Sequence, residues 1–103
     1  MIHSPIENTL RIISGKWTVL IFRELSGGTQ RFSRIQKGLV GISPRTLSLR
    51  LSDLEKHNII SRKVYPEVPP RVEYKLTALG KSLEPVLKNL HSWGLQFEKK
   101  VKG

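Results

Sequence analysis

The apolar positions of the chain recur mostly at helical spacing, and switch to alternation only between residues 60 and 76. Ile6, Leu10 and Ile13 follow Ser4-Pro5-Ile6-Glu7, which offers a capping hydroxyl, a proline at the first helical position and an acid able to close a capping box. Gly15 interrupts this helix before a second one from Lys16 to Leu25, whose Trp17, Leu20, Ile21 and Leu25 share a face and which Gly27-Gly28 ends. Arg31-Phe32 is too short to stand alone as a strand and is expected to join a later hairpin as a small third one. Ser33 is expected to cap a brief helix carrying Ile35 and Leu39. Gly41-Ile42-Ser43 then turns the chain, and Ser43-Pro44 again supplies a cap and a first-turn proline.

At about 100° per residue, the helix opened by Ser43 places Leu47, Leu51 and Leu54 on one stripe facing a core. Arg45, Ser48, Leu49, Ser52 and Lys56 then point away. Ile60 to Tyr65 and Arg71 to Leu76 are rich in β-branched and aromatic residues, and Val72, Tyr74 and Leu76 alternate with Arg71, Glu73 and Lys75. They predict a hairpin with one packed and one wet face, joined by a loop of three prolines, Pro66, Pro69 and Pro70, that restrict its backbone. Thr77 is expected to cap a final helix, in which Leu79, Leu83, Val86, Leu90, Trp93 and Phe97 recur at spacings of 4, 3, 4, 3 and 4. Pro85 predicts a kink or break within that helix. The expected fold is mainly α with a small β-hairpin wing: a single winged helix-turn-helix domain over 1–103. Its helix-turn-helix spans about 33–57, its wing about 59–76 and its C-terminal dimerisation helix about 78–100.

A chain of 103 residues has room for one modest core. Charge changes the picture more: 18 Lys and Arg against 8 Asp and Glu give +10, and ten of the bases against four acids fall between Arg31 and Lys75. The basic part is therefore the helix-turn-helix and its hairpin, as an anionic polymer would require. Recognition helices use their N-terminal residues on base edges, which makes Arg45, Thr46, Ser48 and Leu49 the base-reading candidates. Arg45 has the fork for a guanine, and Leu49 the surface for a thymine methyl. Lys16, Arg31, Ser43, Ser52, Arg62, Lys63, Arg71 and Lys75 are candidates for phosphate or wing contacts. Solvated helix charge remains the other reading of Arg45 and Lys56.

There is no cysteine, and His3, His57 and His91 match no metal-ligand spacing, so no metal or cofactor is expected. No acid, base and nucleophile converge as an enzyme would need, and Gly27-Gly28 lacks the spacing of a phosphate loop. With no stretch approaching a membrane span and no signal-peptide pattern, no membrane association is expected and the cytoplasm is the expected location. The Leu79 to Phe97 seam fits a homodimer interface, with packing on the chain's own N-terminal helices as the other reading. Trp17, Tyr65, Trp93 and Phe97 could line a pocket for a small-molecule effector between subunits, or simply be core. A winged helix used as a protein-protein interaction module, with only non-specific DNA affinity, is the alternative function.

The segments Gly15-Lys16-Trp17-Thr18, Arg31-Phe32, Gly41-Ile42-Ser43-Pro44-Arg45 with Leu47-Ser48 and Leu51, Leu54-Glu55, Tyr65 through Tyr74, Leu76-Thr77 with Gly80, and Trp93 resemble the HxlR-type transcription regulators of bacteria and archaea. These are winged-helix proteins related in architecture to the MarR group. The resemblance implies a homodimer built from the N- and C-terminal helices, which adds Ile6 and Leu10 to Leu83, Val86, Leu90, Trp93 and Phe97 as interface candidates. It also implies a repressor or activator of nearby genes that binds double-stranded DNA, often in answer to chemical stress. Two departures matter. Many members carry a cysteine where this chain has Ser4, so thiol sensing does not carry over; and many have a polar residue, commonly glutamine, where this chain has Leu49.

Overall fold

The computed structural model of the chain describes residues 4–102, so His3 lies outside the described residues. Its elements are α1 (Pro5–Ile13), α2 (Lys16–Ser26), β1 (Gln30–Arg31), α3 (Phe32–Gly38), α4 (Pro44–Lys56), β2 (Ile60–Tyr65), β3 (Arg71–Leu76), α5 (Ala78–Lys81) and α6 (Glu84–Lys102). Ser4 caps α1 as its sequence suggests: its Oγ accepts from the Glu7 N–H at 3.1 Å, with Pro5 in the first turn. Gly15 separates α1 from α2 at φ 96°, a left-handed conformation that costs glycine nothing.

The buried face of α2 is rotated from the expected one. Thr18, Ile21, Phe22 and Leu25 are buried, whereas Trp17 and Leu20 sit half-buried at the margin. The helix lies against α1, α3 and β3, so its neighbours set its rotation and draw Phe22 and the methyl of Thr18 inward. The third strand starts one residue early, at Gln30, because Phe32 already belongs to α3. Ser33 is therefore inside α3 and does not cap it. Arg31 holds the N-cap position with extended backbone and no side-chain cap, because a guanidinium has no acceptor to offer, and it pairs with Glu73 in the sheet.

The sheet has the antiparallel order β1-β3-β2, with Gln30 opposite Tyr74, Ile60 opposite Leu76 and Tyr65 opposite Arg71. Leu47, Leu51 and Leu54 of α4 are buried as their spacing requires, and join Ile21, Leu25, Ile35 and Ile60 in one core. Asn58 ends α4. At φ 61° it takes the left-handed position, the Ile59 N–H bonds to the Leu54 carbonyl at 2.9 Å and the Asn58 N–H to Glu55 at 2.9 Å. This closing motif satisfies carbonyls that the helix end would leave bare and turns the chain straight into β2.

Thr77 caps only α5, its Oγ1 accepting from the Gly80 N–H at 3.0 Å and donating to the Asn58 carbonyl at 2.7 Å. The Thr77 N–H donates to the Ile59 carbonyl at 3.0 Å, so the end of β3 is tied to the end of α4. The break anticipated near Pro85 falls at Ser82-Leu83, and the single helix expected over 78–100 is two, with Pro85 in the first turn of the 19-residue α6.

Gly80 is buried where an added Cβ would run into the Ile59 carbonyl oxygen. Backbone on both sides of that contact leaves little room to relax. Gly80→Ala is expected to lower stability by about 1–3 kcal/mol, read as a shift in the urea midpoint at unchanged m-value.

Candidate nucleic-acid interface

The stripe buried beneath α4 decides what its outer face presents. With Leu47, Leu51 and Leu54 inward, the row diametrically opposite is Arg45, Leu49, Ser52 and Lys56, all exposed. Ser48 lies on one flank of that row and Thr46 on the other. Leu49 is 57% exposed at its centre, although nothing in the chain covers an apolar side chain there.

The helix start is built by Ser43. Its Oγ accepts from the Thr46 N–H at 3.1 Å and lies 2.9 Å from Thr46 Oγ1, with the hydroxyl donating. Both hydroxyls, expected to face DNA, are thus engaged with each other. Thr46 is half-buried and keeps one donor for an outside group, and Ser43 acts first as a cap. The first turn of α4 has no acidic residue, so its unpaired N–H groups and the nearby Arg45 make a positive end. Arg50 lies 3.9 Å from Asp53 on the flank, a loose exposed pair of small energetic weight.

The four basic residues expected to line the wing divide between its two faces. Side chains alternate across a sheet, so Arg62 shares a face with Val64, Val72 and Tyr74, while Lys63, Tyr65, Arg71, Glu73 and Lys75 lie on the other. Arg62, Lys63 and Lys75 are exposed; Arg71 and Glu73 are half-buried. Arg71 lies 3.1 Å from a Glu67 carboxylate oxygen and 3.5 Å from one of Glu73, with its guanidinium 4.0 Å from the centroid of the Tyr65 ring. Lys63 Nζ lies 4.9 Å from the same ring. An arginine bracketed by two carboxylates is not a free phosphate contact. The expected wet face is therefore half-buried at Tyr65, Arg71 and Glu73 and open at Lys63 and Lys75.

Arg31 is exposed on β1, beside a groove of about 390 Å³ that separates it from the wing loop. Lys16 sits at the start of α2 with its Nζ 4.6 Å from the Trp17 ring centroid.

Ile6 and Leu10 of α1 and Val86, Leu90, Trp93 and Phe97 of α6 are all exposed. Trp93 is 65% exposed and stacks on Phe97, with centroids 5.3 Å apart and planes 11° from parallel. Leu83, half-buried in the turn before α6, packs on the chain's own core together with Leu87, which the heptad spacing omits and which lies on the flank of α6 that faces α2. Leu79 is on α5, outside the seam of α6.

Within one chain the four aromatics expected to line a pocket between subunits, or to be core, lie apart: Trp17 packs on the core, Tyr65 lies beside Lys63 and Arg71 on the wing, and Trp93 and Phe97 stack on α6. A groove of about 470 Å³ instead runs between α2 and α6 over Val19, Phe22 and Leu87. Among the described residues, no group of His, Asp or Glu is placed to hold a metal, and no helix is long and apolar enough to cross a membrane.

Comparison with known proteins places this geometry in a defined group. The sequence profile of the HxlR-like helix-turn-helix family matches residues 12–102. An HTH-type transcriptional regulator of the bacterium Synechocystis is 48% identical over 90 residues, covering 87% of this chain and 67% of its own length. One from the archaeon Methanothermobacter thermautotrophicus is 45% identical over 92 residues, covering 89% and 70%. Among solved structures, the redox regulator HypR in its reduced form superposes with a TM-score of 0.88 at 38% identity, covering 96% of this chain and 98% of its own.

The Ser43 cap generates a prediction of its own. Ser43→Ala removes the acceptor at the start of α4 and is expected to cost about 0.5–2 kcal/mol in urea unfolding. Ser43→Asp, which keeps the acceptor, should recover most of that loss.

Proposed function

The chain belongs to the HxlR-like helix-turn-helix family of transcriptional regulators, and from that premise we propose that it binds operator DNA as a homodimer, one α4 to each half-site. The observation that carries this reading is the row Arg45, Leu49, Ser52 and Lys56, held outward by three buried leucines within the stretch of the chain richest in excess basic residues. In the major groove, Arg45 forks onto a guanine, Leu49 packs on a thymine methyl, and Ser48 and the remaining donor of Thr46 reach flanking edges. Ser52, Lys63, Lys75, Arg31 and Lys16 serve phosphates and set register, and Arg62 does so from the opposite face of the wing.

The dimer rests on the apolar faces of α1 and α6. Exposed leucine, valine and aromatic side chains along two helices make a patch that a monomer has no means to cover. A twofold pair would present two copies of α4 to half-sites about one helical turn, roughly 10 to 10.5 base pairs, apart or a multiple of it. The redox regulation that the name of the redox regulator HypR states for that protein is not proposed through a thiol here: this chain has no cysteine, and Ser4 uses its hydroxyl to cap α1. The reading as a protein-interaction module is the weaker one, because the relatives are regulators of transcription and the outward face of α4 carries base-reading side chains.

Selection from a random duplex pool should return an inverted repeat with guanine and thymine in each half-site; equal affinity for scrambled DNA would count against sequence-specific binding. Arg45→Ala is expected to relax preference at the guanine by about 1–3 kcal/mol while leaving other positions as they were. Trp93→Asp should give monomers by light scattering with an unchanged far-UV spectrum, and operator affinity lower by roughly 100-fold or more. A dimer retained in that variant would remove α6 from the interface.

A further inference from the structure

We infer that the chain binds a small oxyanion that keeps a proton at neutral pH, hydrogen phosphate being the simplest, in a cleft between the end of α1, the start of α2 and one flank of α4. The site stands on its own geometry and is independent of the DNA-binding reading. It goes beyond that reading by placing a ligand between the helix proposed for pairing and the helix proposed for reading.

The cleft has a volume of about 100 Å³, room for one tetrahedral oxyanion, and is lined by Arg11, Ser14, Thr18, Arg50, Asp53 and His57. Donors gather at the start of α2. Gly15 supplies no side-chain cap, the first turn has no acid, and the N–H groups of Lys16, Trp17 and Thr18 meet no acceptor among the described residues. At an open helix start water satisfies such groups. Thr18 is in a different position. It is 8% exposed, yet its hydroxyl makes no hydrogen bond among the described residues, and Oγ1 lies on the Gly15 side of the helix, 3.9 Å from where a Cβ on that glycine would stand. A hydroxyl buried to this degree gives up most of its water and gains no bond within the fold, which a ligand in the cleft would restore.

Charge sets the sign of that ligand. Two guanidinium groups line the cleft against one carboxylate, and the positive end of the α2 dipole adds to them. Acceptors set its species. Asp53 lies 3.9 Å from Arg50, and His57 Nδ1 donates to the Asp53 carbonyl at 2.8 Å, which leaves Nε2 as the acceptor of the neutral ring. A carboxylate and a bare ring nitrogen are unfavourable neighbours for sulfate, which has no proton to give. Either one accepts the P–OH of hydrogen phosphate, while Arg50, Thr18 and the N–H groups of α2 donate to the remaining oxygens. A phosphodiester of DNA also lacks that proton, so the pairing of donors with acceptors fits free phosphate and not the duplex backbone.

The test is calorimetric titration of the full chain with inorganic phosphate at fixed ionic strength, with sulfate in parallel. Saturable binding of phosphate is expected, with sulfate weaker by roughly tenfold or more. Thr18→Val keeps the shape and the inward methyl and should weaken phosphate by roughly tenfold. Arg50→Gln should weaken it at least as much, and Asp53→Asn should bring sulfate up to the affinity of phosphate. The side chains of Arg50 and Asp53 are 48% and 60% exposed, so these two variants carry the test even if Thr18→Val lowers stability. Absence of saturable phosphate binding, equal wild-type affinity for sulfate, or phosphate affinity unmoved in both Thr18→Val and Arg50→Gln would overturn the inference. So would a loss of affinity for every duplex in Thr18→Val when the wild type binds no phosphate, which would give the cleft to the DNA backbone and leave the DNA-binding reading intact. Phosphate binding as expected in a chain that binds no duplex would overturn that reading alone.

Discussion

The rotation of α4 about its own axis is fixed by the burial of Leu47, Leu51 and Leu54. A helix has one free angle when it lies on a core, and three leucines at intervals of four and three leave that angle no play. Turning the helix by one residue would bring Ser48 and Glu55, or in the other sense Thr46 and Asp53, toward the interior and expose a leucine, a change of several kcal/mol in apolar burial and desolvation. Everything outward follows from this. The row through Arg45, Leu49, Ser52 and Lys56 is the complement of the stripe, and the Ser43 cap and Asn58 closure set where the row begins and ends. Because Ile59 is both the last residue of that closure and the partner of Thr77, the same joint aims the wing.

Charge is distributed less simply than the total of +10 suggests. The basic residues between Arg31 and Lys75 are not equivalent: most stand exposed on β1, α3, α4 and the wing, whereas Arg71 is held between Glu67 and Glu73 near the wing's tip. Net charge brings a protein to DNA, and geometry decides which cations arrive free. Arg71 illustrates the difference: it is counted in the charge and engaged in the fold.

The sequence was most informative where structure is local. The Ser4 and Ser43 caps, the inward leucines and the bounds of both hairpin strands, 60–65 and 71–76, depend on neighbours within one or two turns and were legible. The rotation of α2 was not, since Phe22 and Thr18 are drawn in by elements far away in sequence, and a threonine counted as polar hides its methyl in the pattern. The partition of Leu83 and Leu87 from the exposed seam likewise depends on how α6 leaves the core. The bracketing of Arg71 by Glu67 and Glu73 needs the loop to fold back, which prolines permit but do not dictate. Two further features are legible in the sequence: Asn58, a residue suited to a left-handed helix end, and the opposite faces of Arg62 and Lys63, which alternation alone requires.

The break at Ser82-Leu83 has a further consequence. It divides the chain into a part that carries the reading row and an arm, α6, whose direction is set by two residues of turn. In a pair joined through such arms, the word read by each head and the distance between the two words are controlled by different residues. Changes at the turn would alter spacing without touching vocabulary, and changes on α4 the reverse. A lineage built on this plan can therefore move to new promoters along two independent axes.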